Sequence, residues 1–582
     1  MGAVSPVHAT AFAAIALLCA CSGGAGNGRS LLVVTLDTTR PDALSLYGGP
    51  PTPGLERLAR EGVVFERAYT AAPITLPAHA TLFSGLYPPR HGVRDNGQIL
   101  SEGAHTLAEL LLAEDYQTAA FVGAVVLDPA FGLQQGFERY DAPRPAGGPA
   151  RAHAEAEAER PARAVIDAAL AWLRARDRSR PYFLWVHLYD AHTPYEPPAE
   201  FAGQTPRARY DGEVRSADSE LQRLFEHLRA EPTLDETLVL VAGDHGEGFG
   251  EHGEEGHSVH CYETTLRVPL VVRAPFWARL APGSRSRELV ALADLVPTAC
   301  EALGIETPAD LDGRSFWSAA APEERGIYFE SFYGYLNFGW SPLAGWIDAR
   351  GKYLHASDER FFDLQSDPLE ERDLLAERAA DVTRAQRGIA ELERAPKLAA
   401  AAPQVSEALL QSLRGLGYAA VGGESRALPH PLEDTGLPSP ERMREPYATS
   451  LSALELAKRG ELAEAERLFR AVLEVNPGNP FVLDQLAVCL LQRGDFEQAA
   501  ATLRSILDLG HRSTPGVWFK LARCLEELQQ TPEAIEALER ALALDPTRAP
   551  WLVELARLLR ASGRTGEAAQ VEQRIAALAK DG

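Results

Sequence analysis

Nearly continuous apolar runs recur through the first half of the chain: "SLLVVTL" (30 to 36), "TAAFVG" (118 to 123), "YFLWVHL" (182 to 188), "TLVLVAG" (237 to 243) and "VPLVV" (268 to 272). Runs with so little polar alternation fit strands buried on both faces. Between them apolar residues return at helical spacing, around 104 to 114, 161 to 175 and 212 to 230. The alternation predicts an α/β fold over residues 30–375, with a mainly parallel sheet between helices. Residues 376–445, rich in Ala, Arg, Pro and Gly, predict a peripheral helix and then a linker.

Over 446–582 the period changes. Gly460 and Gly494 lie 34 apart, and Ala465, Ala499, Ala534 and Ala568 follow one another at 34, 35 and 34 residues. Pro477 and Pro546 each close a helix-pair unit, and "VWFKLARCLEE" puts Trp518, Leu521 and Ala522 at positions that resemble a tetratricopeptide repeat. Small residues recur because two helices must approach closely, and one pair alone cannot bury its apolar face. Four stacked pairs are expected. Such a solenoid offers a groove for a peptide or protein partner or braces its neighbour, and the sequence does not choose.

The N-terminus differs again. "ATAFAAIALLCAC" is too short to span a bilayer as a mature helix and long enough for a signal-peptide core. It ends in Leu18-Cys19-Ala20-Cys21 before "SGGAGNG", which resembles a bacterial lipobox with Cys21 as the lipidated residue. Residues 1–21 are therefore expected as a lipoprotein-type signal, 22–29 as a tether, and the product as exported and held at a membrane, periplasmic or at the cell surface. The remaining cysteines, Cys261, Cys300, Cys489 and Cys524, lack metal-type spacing and read as buried thiols.

With 582 residues, more than one core is expected. A formal charge of -24 with no basic stripe argues against nucleic acid as a partner. A small, glycan-linked or lipid-linked anionic ester stays open if a cation supplies the field.

Three of the five strands end in an acid: Asp37, Asp190 and Asp244. Ligands of open α/β sheets bind outside the carboxyl ends of strands, so these acids converge in space and need a cation between them. Each alone has a bland account as the cap of a following helix. Thr75 has the same two readings. It either caps the helix that starts there, or sits at the helix N-terminus beside the cation as a metal-activated nucleophile. His79, one turn on, would face the same pocket.

The stretch Thr75-Leu76-Pro77-Ala78-His79, with Ser84-Gly85 and "YPPRHGVRDNG" behind it, resembles the sulfatase signature. "LDTTRPD", "DHGEGFGEHG", "RVPLVV", "DLVPTACEALG" and "FFDLQSDPLEERDLL" follow in the order seen in the sulfatase-like branch of the alkaline phosphatase superfamily. Sulfatases oxidise a Cys or Ser to formylglycine. The extra methyl of Thr75 would turn that aldehyde into a ketone, so Thr75 itself must attack, as threonine does in the superfamily's phosphodiesterases and phosphoethanolamine transferases. The usual Asp-Asp pair is Asp37-Thr38 and the usual Asp-Asn is Asp244-His245, which favours Zn or Mn over Ca. His79 stands where the motif has Arg.

The resemblance further implies that His192 in "DAHTPY" contacts substrate, that His257 is directed at the anion, and that Asn96 binds the transferred group. Asp190 joins the ligands Asp37, Thr75, Asp244 and His245, and with His192 and His257 it would hold a second ion; one ion is favoured over two. The expected activity is hydrolysis of a phosphate or phosphonate mono- or diester through an enzyme ester on Thr75. The rivals are sulfuric ester hydrolysis without formylglycine, a phosphoethanolamine-type transferase, and a non-catalytic repeat scaffold with a relic α/β domain.

Overall fold

The computed structural model describes residues 28–143, 159–231, 233–317, 324–399, 409, 428–509 and 514–581. The signal, Cys21 and most of the tether lie outside them. Among the described residues no helix is long and apolar enough to cross a membrane.

The strands, in chain order, are β1 (Ser30–Leu36), β2 (Val63–Tyr69), β3 (Gln117–Val122), β4 (Arg139–Asp141), β5 (Tyr182–Leu188), β6 (Thr237–Gly243), β7 (Gly248–Phe249), β8 (Glu255–Gly256), β9 (Arg267–Arg273) and β10 (Ser284–Ala291). All but β7 and β8, which form a small ribbon, build one eight-stranded sheet in the order β10-β2-β9-β6-β1-β5-β3-β4. β1 runs parallel to both β5 and β6, and every residue of these three strands is buried. That is why they read as unbroken apolar runs. The predicted α/β class and all five predicted strands are present.

β9 departs from the expected parallel arrangement and lies antiparallel between β6 and β2. A sheet that inserts one reversed strand keeps its apolar runs, so periodicity alone carries no sign of direction. β2 and β10 escaped the reading because polar residues such as Glu66, Arg67, Arg285 and Arg287 interrupt them. Their side chains pair with one another, Arg285 and Arg287 both meeting Glu66.

Helices cover both faces, and two apolar clusters fill the gaps. One gathers around Phe65, Phe83, Trp185 and Leu240, the other around Val34, Val186, Leu221 and Phe225. A second, antiparallel sheet of four strands follows, β11 (Ile327–Ser331), β12 (Leu343–Asp348), β13 (Gly351–His355) and β14 (Arg360–Phe362). The helix Ala379–Glu393 lies across it, with Ala385 and Ile389 buried in its core.

From Arg444 to Asp581 eight helices alternate in four pairs among the described residues. Ala465, Ala499, Ala534 and Ala568 are each 0% exposed, which is the close helix approach their spacing predicts. Cys261, Cys300, Cys489 and Cys524 are free and buried. The repeats rest on the α/β domain: Met443, Tyr447 and Phe481 pack against Phe338, Trp340 and Val259, and Asn476 Nδ2 donates to the Phe338 carbonyl at 2.8 Å.

Candidate active site

β1 delivers Asp37 and β6 delivers Asp244 at adjacent strand ends, with Leu36 and Gly243 in register. Thr38, just past β1, adopts a left-handed φ of 49°, a conformation that costs a threonine about 1–3 kcal/mol. This turn aims the Thr38 N–H at Asp244 Oδ1, 3.1 Å away, and the His245 N–H reaches the same oxygen at 2.7 Å. One oxygen of Asp244 is thereby satisfied and Oδ2 is left without a hydrogen-bond partner, as are both oxygens of Asp37. The two carboxyl groups are fully buried.

Thr75 is the first residue of the helix Thr75–Ser84, which ends at Gly85 in the left-handed conformation. Its hydroxyl does not cap that helix. Asn96 does so from a distance, its Oδ1 accepting the Leu76 N–H at 2.9 Å. Thr75 Oγ1 lies instead 3.2 Å from His245 Nε2. The other His245 nitrogen, Nδ1, donates to the Gly246 carbonyl at 3.1 Å, so Nε2 is the bare nitrogen. Gly246 must be glycine, because a Cβ there would sit 2.0 Å from the Thr264 carbonyl oxygen.

Asp37, Asp244 and His245 each offer a ligand atom within 4.8 Å of the others, the one such group among the described residues. Burial lifts Asp37 to about 8, with His257 opposing and Glu247 adding; burial, then Asp37 itself, lifts Asp244 well above the usual carboxylate range. Burial holds His245 well below the ordinary imidazole value, so it stays neutral and able to ligate. Orphaned carboxylate oxygens, a bare imidazole nitrogen and a hydroxyl, all buried, form a donor set that fits one divalent cation.

His79 and Asp190 do not take the places expected of them. His79 is 0% exposed and spends both nitrogens, Nδ1 on the Thr75 carbonyl at 2.7 Å and Nε2 on Thr35 Oγ1 at 3.0 Å. Burial, then His187, keeps it neutral, so it braces the nucleophile's backbone rather than standing in for a substrate-facing Arg. Both carboxylate oxygens of Asp190 take the Ala162 N–H, at 3.0 and 2.9 Å, at the start of the helix Ala162–Ala175. Asp190 thus serves the N-terminus of the helix that precedes β5, not of a following one, and lies outside the ligand group.

His192 and His257 do reach the site. The His257 ring centroid lies 4.6 Å from that of His245 and 5.1 Å from that of His192. His192 Nδ1 donates to the Thr193 carbonyl at 2.7 Å, while its Nε2 is buried and unpartnered. Asn96 Nδ2 is likewise buried and unpartnered. These two atoms are poised for a polar ligand.

Three further residues escaped the sequence reading. Thr35 Oγ1 receives Trp185 Nε1 at 3.0 Å and contacts His187 Nδ1 at 3.0 Å; His187 Nε2 is 3.3 Å from Asp37 Oδ2. Thr35 and His187 are paired in register on β1 and β5. The available signal was a polar residue near the end of each apolar strand. Glu247, 0% exposed, meets His257 Nδ1 at 3.1 Å and sits three residues after Asp244 in a motif whose Asp and His drew the attention.

Residues 29–305 match the sulfatase family model, and 250–393 match that of the N-sulphoglucosamine sulphohydrolase C-terminal region. Residues 456–524 and 515–548 match tetratricopeptide-repeat models. The chain thus carries a sulfatase domain of the alkaline phosphatase superfamily, a class that hydrolyses sulfuric or phosphoric esters, followed by tetratricopeptide repeats. It is 26% identical over 431 residues to Steryl-sulfatase of Mus musculus, which covers 54% of this chain and 69% of that protein. A multifunctional alkaline phosphatase superfamily protein of Trinickia caryophylli is 25% identical over 470 residues, covering 59% of this chain and 90% of that one. The solved phosphonate monoester hydrolase of Agrobacterium radiobacter shares the fold with a TM-score of 0.52 at 22% identity, over 62% of this chain and 94% of that one.

Proposed function

We propose that this protein is an exported, metal-dependent hydrolase that uses Thr75 to cleave singly charged phosphorus esters, phosphodiesters or phosphonate monoesters. The observation that carries this reading is the Thr75 hydroxyl, freed from capping and 3.2 Å from the bare nitrogen of His245. Asp37, Asp244, His245 and Thr75 would hold the ion, Zn or Mn by their donor set, and when bound it supplies Lewis-acid charge that lowers the hydroxyl's pKa.

The remaining work falls to the chain. Thr75 Oγ1, its proton given up to solvent before the step, attacks phosphorus, with the helix N-terminus behind it favouring the anion. Asn96 Nδ2 donates to a non-bridging oxygen, His192 lines the pocket as a neutral ring whose bare Nε2 can only accept, and His257 gives the departing alcohol its proton. Water then attacks the phosphothreonine ester, passing a proton back to His257. None of the side chains gathered here among the described residues is Lys or Arg, so a monoanion suits the site better than a phosphate monoester dianion. A sulfate ester is also a monoanion, and relatives at this distance bear sulfatase names; what separates the readings is the nucleophile, which cannot become formylglycine. Export and a lipid anchor on Cys21 rest on the N-terminal sequence, and a protein partner on the repeats.

The full chain, supplied with Zn or Mn, is expected to cleave bis(4-nitrophenyl) phosphate and 4-nitrophenyl phenylphosphonate at least about tenfold faster in kcat/KM than 4-nitrophenyl phosphate or 4-nitrophenyl sulfate, a difference of about 1.4 kcal/mol in the barrier. Fastest turnover of the sulfate would reverse the assignment.

A further inference from the structure

Behind His257 lies a carboxylate whose every contact points one way. Glu247 is 0% exposed, follows the ligand pair Asp244-His245, and divides its two oxygens between two donors. Oε1 faces His257 Nδ1 at 3.1 Å, and Oε2 accepts the Tyr195 hydroxyl at 3.0 Å. Its backbone is held as well, because Arg40 Nη1 donates to the Glu247 carbonyl at 2.9 Å while the same guanidinium pairs with Asp42 and Glu251. The Tyr195 ring is wedged beside Tyr210 and Phe249, with centroids 5.6 and 5.8 Å away.

A carboxylate only accepts, so His257 Nδ1 must carry the hydrogen in this pair, and Nε2 is the nitrogen left to face the reaction. The His257 ring lies against those of His192 and His245. We infer that Glu247 is a positioning residue that, steered by Tyr195, fixes the tautomer and orientation of His257 so that its Nε2 exchanges a proton with the leaving group. This rests on the proposed hydrolase reading and adds to it the residues that make the acid.

The step balances in protons. As the phosphorus–oxygen bond to the alcohol breaks, the bond's electron pair goes to the alcohol oxygen, and His257 Nε2–H gives that oxygen its proton. The imidazole left behind keeps Nδ1–H on Glu247. In the second half water oxygen bonds to phosphorus, the electron pair of the phosphorus–oxygen bond to Thr75 returns to Oγ1, and His257 takes the water's proton at Nε2, which restores the doubly protonated ring. Tyr195 matters because a hydroxyl on Oε2 gives the side chain a direction. In a Glu247→Gln variant the amide oxygen is drawn to the Tyr195 hydroxyl, so the amide NH2 faces His257 Nδ1, which can then no longer carry a hydrogen, and the doubly protonated ring that donates from Nε2 is lost. A carboxylate-to-amide change behind a catalytic imidazole costs up to about 10⁴-fold in a protease triad.

The test compares ethyl phenylphosphonate, whose alkoxide must be protonated to leave, with 4-nitrophenyl phenylphosphonate, whose leaving group needs no proton. In the metal-loaded full chain Glu247→Gln is expected to lower kcat on the ethyl ester by about 10²–10³-fold and on the nitrophenyl ester by less than about tenfold. Metal content per chain is expected to stay unchanged, and Tyr195→Phe in the Gln background is expected to recover part of the lost rate. Equal losses on both esters, no loss, or loss of metal would each overturn the assignment. Calorimetric binding of inorganic phosphate to the same proteins reads the pair without turnover: at least about tenfold weaker binding in Glu247→Gln is expected, and equal affinity rejects it. A wild-type chain that binds phosphate in this Glu247-dependent way but cleaves neither ester would remove the hydrolase reading and leave the pairing standing.

Discussion

Thr75→Ala is expected to lose at least about a thousandfold in kcat on the preferred phosphorus ester, with metal content unchanged, whereas Thr75→Ser keeps turnover within about tenfold. The distinction follows from what the hydroxyl touches. Were Thr75 a helix cap, its loss would cost about 1 kcal/mol of stability and little activity. The cap is Asn96 Oδ1 on the Leu76 N–H, and the Thr75 hydroxyl has His245 Nε2 as its neighbour. The Thr75→Ala variant keeps Asp37, Asp244 and His245 to bind the ion, so metal analysis and thermal melting separate a lost nucleophile from a lost fold. A variant with intact turnover would return Thr75 to a structural role.

The second large effect concerns Asp37, and its sign differs between the chelated and the loaded protein. Asp37 and Asp244 are buried side by side, and burial lifts Asp37 to about 8 from an ordinary value of 3.8. At pH below 3.8 the group is protonated in the folded and unfolded chains alike, and its contribution to stability is fully present. As pH rises from there through about 8 the unfolded chain gives up a proton that the fold must keep, so the contribution is lost. Chelated wild type is therefore expected to melt several degrees lower at pH 8 than at pH 5, relative to Asp37→Asn over the same interval. Zinc or manganese reverses the order, because ligand binding to the native state raises the wild-type Tm in proportion to the logarithm of free metal, while Asp37→Asn responds weakly. Scanning calorimetry with and without chelator reads both halves. A wild type whose chelated stability is flat with pH relative to the variant, or a variant that gains as much from metal, contradicts the shared-cation site.

The sheet was readable because β1, β5 and β6 are buried on both faces, leaving runs that only a central strand makes. The direction of β9 was not readable, since reversing a strand changes hydrogen-bond partners and leaves its composition alone. The same limit applies at the site. Asp37, Thr75, Asp244 and His245 announced themselves by strand-end position and motif, and they do converge. Asp190 matched the same strand-end rule yet turned to Ala162, because the rule fixes where a residue sits and says nothing of which neighbour its side chain finds. His79 stands where the motif has Arg, but burial and the neighbouring His187 keep it neutral, with both nitrogens spent on hydrogen bonds. His187 offered only a polar residue near the end of an apolar strand, and Glu247 no signal of its own: their importance is created by a register pair across β1 and β5 and by a loop that returns His257 to Glu247. The repeats were the reverse case. Ala465, Ala499, Ala534 and Ala568 could be placed from spacing alone, because each repeats one local packing problem.

The most direct measurement is mass spectrometry of the peptide containing Thr75 after rapid acid quench of the metal-loaded full chain with 4-nitrophenyl phenylphosphonate. A phenylphosphonyl group on Thr75, formed within one turnover and absent from Thr75→Ala, is the predicted result. Steady hydrolysis with Thr75 unmodified at every quench time would contradict the account.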